Sequence, residues 1–312
     1  MKLGIYLSYV GLGANLIHLS YCHQIAKRYG PITIITLCKN LREALEDDPL
    51  IKEVHHVTKY QKRLIDVYKL SKILRKFKFN RLLIFYPSLR VLISAKLAGI
   101  NKVSIYNIFK KKNLHIIDAA KKLTEDFLQI KNCQTETNFC VDKKKIDKIN
   151  EENIGKFKIV IGAGSSGPTT RWGSKNYSNL INKLDETGKY FFYILCGPNE
   201  KEVEQEIISK LKSKNFLALS EKKIRDVIPY LCSSDMYVGN DSFGSHITTQ
   251  SGIKSIVILL DSPRAYTDYS KNFYRIVPRG FDINKITHGS NADPNLVLVE
   301  EVIKKINKFK IN

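Results

Sequence analysis

Apolar runs of strand length alternate with amphipathic stretches of helix length from one end of the chain to the other. In the first half strands are predicted at 3–7, 32–37, 53–57, 81–85 and 102–106, with helices at 18–27, 41–46, 62–76, 89–97 and 116–127. A polar, Lys- and Asn-rich stretch, 131–156, carries one strand-like piece at 137–141 and reads as a linker. The alternation then restarts, with strands predicted at 157–161, 190–195, 216–219, 236–238 and 255–260 and helices at 176–184, 201–211, 223–232 and 244–251. A last helical pattern covers 296–309. Strand and helix in turn argue for an α/β chain of parallel sheets with crossover helices. Two doubly wound domains facing each other would bring both sets of strand C-termini, where open sheets bind ligands, to one interdomain cleft.

Length and charge fit this picture. The 312 residues suffice for about two domains. Residues 1–19 are interrupted by Gly4, Gly11 and Gly13, so they read as a first buried strand and its loop, without the unbroken apolar run of a signal peptide or membrane span. Six cysteines form no CxxC pair, which suits reduced thiols in a cytoplasmic protein and signals neither zinc nor a disulfide framework. The net charge of +21 raises nucleic acid, anionic lipid or a phosphorylated substrate as partner. Its excess is mostly Lys spread along the chain, and no nucleic-acid-reading motif is visible. Lys runs at 109–112 and 143–145 read as solvated faces.

Chemistry concentrates where strands meet loops. In Tyr237-Val238-Gly239-Asn240-Asp241-Ser242-Phe243-Gly244-Ser245-His246 a short apolar run turns into a helix. The first amides of a helix have no intrahelical acceptor and face an anion with the positive end of the dipole, so the corner suits a phosphate. The same residues also describe a capped helix with a buried His246. Gly162-Ala163-Gly164-Ser165-Ser166-Gly167 matches GxGxxG after a strand, but Pro168-Thr169-Thr170 follows where a dinucleotide site would already be helical. What remains is a Gly/Ser-rich loop able to hold phosphate oxygens, beside Arg171 and Trp172, or else a plain loop with a packed Trp. Glu200, after Gly197-Pro198-Asn199, is placed at a strand C-terminus, where it either accepts ribose hydroxyls or favours the dipole of the next helix. Gly11-Leu12-Gly13-Ala14-Asn15 is a second glycine loop, for close ligand approach or a tight turn.

In this order and spacing, the segments over 157–262 resemble glycosyltransferase family 9, the heptosyltransferase-like members of the GT-B superfamily. The resemblance implies two Rossmann-like domains: 1–145 for the acceptor, 146–295 for a nucleoside diphosphate sugar, and a terminal helix, 296–312, returning to the N-terminal domain. Carried over by position, Asp241 would contact the donor sugar, and Ser242 with Gly244 would receive the diphosphate. His246 would support that loop or touch phosphate, Glu200 would hold ribose, and Ser165 and Ser166 would lie on the phosphate side. No metal or cofactor is implied. Three positions depart from the family. Phe243 stands where a Gly is usual, and Thr170 where a phosphate-binding Lys is common, with Arg171 or Lys175 as replacements. Ala14 stands at the expected general base, and no acidic residue precedes Glu43. His18 then becomes the candidate base, or a packing residue, while Gly11, Gly13 and Asn15 form the acceptor-side loop.

The implied function is inverting sugar transfer to a lipopolysaccharide-core or other surface-glycan acceptor. The protein would be cytoplasmic, with peripheral contact to an anionic membrane at its inner face and no nucleic-acid partner. The alternatives are a sugar-nucleotide epimerase of the same architecture and a degenerate protein that only binds nucleotide sugar.

Overall fold

The computed structural model describes residues 2–58, 64–108, 115–152, 154–165 and 167–310. They divide into two units, Met1–Cys140 and Val141–Asn312.

The first unit runs β1 Leu3–Leu7, α1 Leu12–Leu16, α2 Leu19–Tyr29, β2 Ile32–Thr36, α3 Leu41–Ala44, β3 Ile51–His56, α4 Leu64–Phe77, β4 Arg81–Ile84, α5 Leu89–Leu97, β5 Lys102–Ile105 and α6 Ile116–Leu128. Its five strands are all parallel, in the order β3-β2-β1-β4-β5. Every residue of β1 and β2 is buried, as expected of parallel strands covered on both faces. Leu70 and Leu74 of α4 and Val91 and Ala95 of α5 pack on one face of the sheet against Tyr6, Leu82 and Ile84.

The second unit runs α7 Lys143–Glu152, β6 Phe157–Gly162, α8 Ser174–Leu184, β7 Tyr190–Leu195, α9 Lys201–Ile208, β8 Phe216–Ala218, α10 Ile224–Cys232, β9 Met236–Asn240, α11 Phe243–Gln250, β10 Lys254–Ile258, β11 Phe273–Ile276 and α12 Val299–Lys310. Its six strands are also all parallel, in the order β11-β10-β9-β6-β7-β8. Strand order reverses beside β6, so the loops after β6 and β9 leave the sheet side by side. This is the switch point where open α/β sheets take ligands.

Several local expectations need correction. The predicted helix 18–27 is preceded by a separate short helix, because Gly11-Leu12-Gly13-Ala14 starts α1 instead of making a tight turn. No strand forms at 137–141. Side chains of α2 hold the start of that segment and the residues just before it: the Ser20 hydroxyl bonds the carbonyl oxygens of Gln134 and Glu136, and His23 Nδ1 pairs with the Thr137 hydroxyl. The stretch read as a linker contains α7, whose Ile149 is buried where the helix packs on α10. Strand β11 has no counterpart in the sequence reading; it forms by parallel pairing with β10. The first two residues of the predicted helix 62–76 and the Lys run from 109 lie outside the described residues. Val299, Val302 and Ile306 of α12, which covers the predicted terminal helix, fill the core of the second unit beside α8. Among the described residues no helix is long and apolar enough to cross a membrane. All six cysteines are unpaired.

Candidate functional site

The C-terminal ends of β6 and β9 approach more closely than side chains would allow. Gly162 and Gly239 pair across the two strands, and a Cβ on Gly239 would fall 2.5 Å from the Gly162 backbone. A Cβ on Gly162 would meet the Tyr237 hydroxyl at 1.9 Å. The space so released holds the Tyr237 ring, whose hydroxyl donates to the Asn240 carbonyl at 2.7 Å and pairs with the Ser242 hydroxyl at 3.1 Å.

Asn240, fully buried, locks the two loops together. Its Nδ2 donates to the Ala163 carbonyl at 2.8 Å, while its Oδ1 accepts from the Trp172 amide at 3.0 Å and the Tyr177 hydroxyl at 2.8 Å. A buried amide with all these partners fixes the loop after β6 against the corner after β9.

On the β6 side, Glu200 is the hub. Its Oε1 accepts from the Ser165 amide at 2.8 Å and from Arg171 Nη2 at 2.7 Å, and its Oε2 from the Gly197 amide at 2.8 Å. Gly164 permits this, since a Cβ there would lie 2.3 Å from Glu200 Oε2. Arg171 also donates to the Ser165 carbonyl at 3.1 Å, and its buried Nε has no acceptor. The Ser165 hydroxyl pairs with that of Thr170. Lys175, the other proposed replacement for the missing Lys, lies exposed on α8. Ser166 lies outside the described residues.

On the β9 side, Asp241 follows the strand, and Ser242 stands before the first turn of α11 with extended backbone. The Asp241 side chain is 7% exposed. His246 Nε2 lies 3.4 Å from its Oδ1 but is too poorly aligned for a hydrogen bond, so that buried oxygen has no donor. His246 is held in place from behind, with Nδ1 2.9 Å from the Tyr269 hydroxyl, its ring stacked on Tyr269 and Phe273 edge-on to it. Gly244 leaves room for its neighbour as well, because a Cβ would meet Leu195 Cδ2 at 2.4 Å and that side chain would have to shift. A third wall is Asp261, just beyond β10, which accepts from the Thr169 hydroxyl at 2.6 Å and from the amides of Gly289 and Ser290 at 2.6 and 2.7 Å. Burial pushes the Asp261 carboxyl up, but these hydrogen bonds outweigh it and hold the pKa below the usual value.

The structure therefore gathers Ser165, Arg171, Glu200, Asp241, Ser242, Gly244 and His246 around one switch point. The sequence reading gave no role to Tyr237 and Asn240, though both stand in the corner it singled out, and passed over Asp261 and Tyr269. Only Asn240 carried a signal, as a polar residue closing an apolar strand.

The candidates of the first unit behave differently. His18 is fully buried, with Nδ1 donating to the Ala14 carbonyl at 2.8 Å and Nε2 3.0 Å from the Tyr106 hydroxyl. Burial pulls its pKa down to about 4, against the opposing bond to Ala14. With both nitrogens engaged and no exposure, His18 is a packing residue, and its candidacy as general base is corrected. Asn15 is likewise consumed internally. Its Nδ2 donates to the carbonyls of Tyr9 and Gly11 at 3.0 and 2.7 Å, and its Oδ1 accepts from the Thr36 hydroxyl at 2.8 Å. It braces the loop and has nothing left for an acceptor. Gly11 is exposed and precedes α1, and Gly13 lies within that helix. Among the described residues no cluster of three or more His, Cys, Asp and Glu side chains is arranged to hold a metal.

Two parallel doubly wound sheets, one with loops from its switch point arranged around a helix N-terminus, define a chain of the GT-B class. Residues 98–277, more than half the chain, match the model of glycosyltransferase family 9 (heptosyltransferase), and the chain belongs to that family. Its fold is similar to that of ADP-heptose LPS heptosyltransferase II from E. coli, with TM-score 0.77 at 16% identity over 99% of this chain and 98% of that one. It is similar also to a family 9 glycosyltransferase from Veillonella parvula, with TM-score 0.76 at 16% identity over 98% and 96%. E. coli heptosyltransferase WaaC with ADP gives 0.73 at 13% identity over 99% of both chains. A more distant likeness, to a putative UDP-N-acetylglucosamine 2-epimerase from Listeria monocytogenes, has TM-score 0.51 at 11% identity over 98% and 88%. No curated protein matches by sequence.

Proposed function

We propose that this glycosyltransferase moves a sugar from a nucleoside diphosphate donor, with inversion and without a metal, onto a lipopolysaccharide-core or other surface-glycan acceptor. The observation that carries the donor reading is the corner after β9, where a buried Asp241 oxygen without a hydrogen-bond donor stands beside the N-terminus of α11. A pyrophosphate at the first-turn amides would be stabilised by the helix dipole, and a sugar hydroxyl would supply the donor that Asp241 lacks. Arg171, with an unused Nε, is the cation that the loop after β6 offers for this role.

In the reaction, the acceptor hydroxyl oxygen attacks the anomeric carbon. The bond from that carbon to the phosphate oxygen breaks, and the electron pair leaves with the diphosphate. Stabilising that developing charge by fixed amides and Arg171 is the largest contribution this site offers. The hydroxyl proton finds no acceptor in the glycine loop, where Ala14 has no titratable group and His18 is sealed. That observation favours a second reading, a protein that holds a nucleotide sugar without turning it over.

A thermal-shift screen over nucleoside diphosphate sugars, followed by assay of nucleoside diphosphate release with and without acceptor, tests the proposal. Stabilisation by one donor and acceptor-dependent release is the expected result. Binding without release establishes the second reading, and conversion of donor alone would identify an epimerase. No shift with any nucleotide sugar would overturn the donor site itself.

A further inference from the structure

Large exposed hydrophobic residues are not scattered evenly over this protein. Of the eleven among the described residues, six lie on α4 and α5: Leu64, Ile65, Tyr68, Leu89, Ile93 and Leu97, each between 42% and 90% exposed. The two helices pack side by side, joined by the Ser94 hydroxyl donating to the Val67 carbonyl and by Arg75 donating to the Leu97 carbonyl. Both turn their small or apolar inner faces, Leu70 and Leu74 on α4 and Val91 and Ala95 on α5, to the sheet. Helical spacing then places Leu89, Ile93 and Leu97 in one outward stripe on α5, and Leu64, Ile65 and Tyr68 outward on α4. A concentration of this kind on a water-facing layer marks an interaction surface.

The charges around it select the partner. The two helices carry Lys69, Lys72, Arg75, Lys76, Arg90 and Lys96 against a single acid, Asp66. Lys72 lies over the Tyr68 ring, 4.6 Å from its centre, so a cation and an apolar contact share one spot. A second copy of the chain meeting this face symmetrically would oppose one basic rim to the other, which disfavours a dimer. Apolar residues rimmed by Lys and Arg match instead a bilayer interface with anionic headgroups.

We propose that the outer face of α4 and α5 docks the protein on an anionic membrane surface, with Leu64, Ile65, Leu89, Ile93 and Leu97 entering the headgroup layer and Lys69, Lys72 and Arg90 meeting lipid phosphates. The surface stands on its own chemistry, so failure of the proposed donor or acceptor leaves it untouched.

Co-sedimentation of the full-length protein with phosphatidylcholine vesicles, plain or containing about 30 mol% phosphatidylglycerol, tests the proposal. The wild type should pellet with the anionic vesicles and remain in solution with the neutral ones. A Leu89→Gln, Ile93→Gln, Leu97→Gln variant should bind at least about tenfold more weakly, with an unchanged melting temperature because these side chains are exposed. A Lys69→Glu, Lys72→Glu, Arg90→Glu variant, independent of any packing effect of the first, should lose binding by a similar factor. Absence of wild-type binding to anionic vesicles, or binding that neither variant weakens, would overturn the proposal. So would a wild-type dimer in sedimentation equilibrium that the Gln variant converts to monomer, since the face would then belong to a second copy.

Discussion

At the scale of single residues, burial separates the polar groups that hold the fold from those left for chemistry. Asn15, His18 and Asn240 are buried and fully bonded to protein partners, whereas Asp241, its side chain 7% exposed, keeps a buried oxygen without a donor. Such an atom costs stability in the free protein, because its desolvation is not offset by a hydrogen bond. Asp241→Ala is therefore expected to leave the melting temperature unchanged or raised while transfer falls by at least about 100-fold, as measured by nucleoside diphosphate release. Glu200→Ala removes an acceptor shared by two amides and Arg171, and donor affinity by calorimetry should fall by roughly 1.5–3 kcal/mol. His18 gives a prediction about pH. Its folded pKa, about 4, lies below the ordinary 6.5, so the unfolded chain binds the proton more readily. The stabilisation is complete above pH 6.5 and is lost as pH falls toward 4, by on the order of 3 kcal/mol. Denaturant unfolding at pH 7.5 and pH 5 should show the fall, and His18→Phe should flatten it.

At the scale of elements, the site depends on how closely β6 and β9 approach. Gly239→Ala would bring a methyl group to 2.5 Å from the Gly162 backbone, which no rotamer change relieves. We expect a loss of at least about 2 kcal/mol in unfolding free energy, together with weakened donor binding, because the strands that carry both loops must separate. Most elements could be read from the sequence. Buried parallel strands such as Leu3–Leu7 and Tyr190–Leu195 are continuous apolar runs, and amphipathic helices such as Ile116–Leu128 have one apolar face. The failures share one cause. The segment at 137–141 looked like a strand yet is held at Thr137 by His23 of α2, and β11 is a strand only because β10 offers its edge. Both outcomes were decided by groups distant in sequence.

At the scale of the whole molecule, each unit has a core of its own. All residues assigned to the donor side lie within Val141–Asn312, and α12 completes that unit's core with Val302 and Ile306. Residues 141–312 expressed alone should therefore melt cooperatively and bind the donor within about tenfold of the full chain, while transfer is lost. Calorimetry on both forms checks this. A shortened form ending before Val299 should not fold, since the apolar faces of α8 and β10 that α12 covers would be left open.

The alternation of elements, the two parallel sheets and the corner at Asn240 to Gly244 were determined by the sequence alone, because periodicity and helix-capping chemistry act over a few residues. The use of each polar side chain was decided only by the tertiary structure. His18 is closed off by Tyr106, 88 positions away, and Asn240 is bound to Ala163, 77 positions away. Asp241 stays available because His246, 3.4 Å from its Oδ1, makes no hydrogen bond to it. Desolvation and hydrogen bonding depend on the groups that folding brings together, and local sequence carries no record of them.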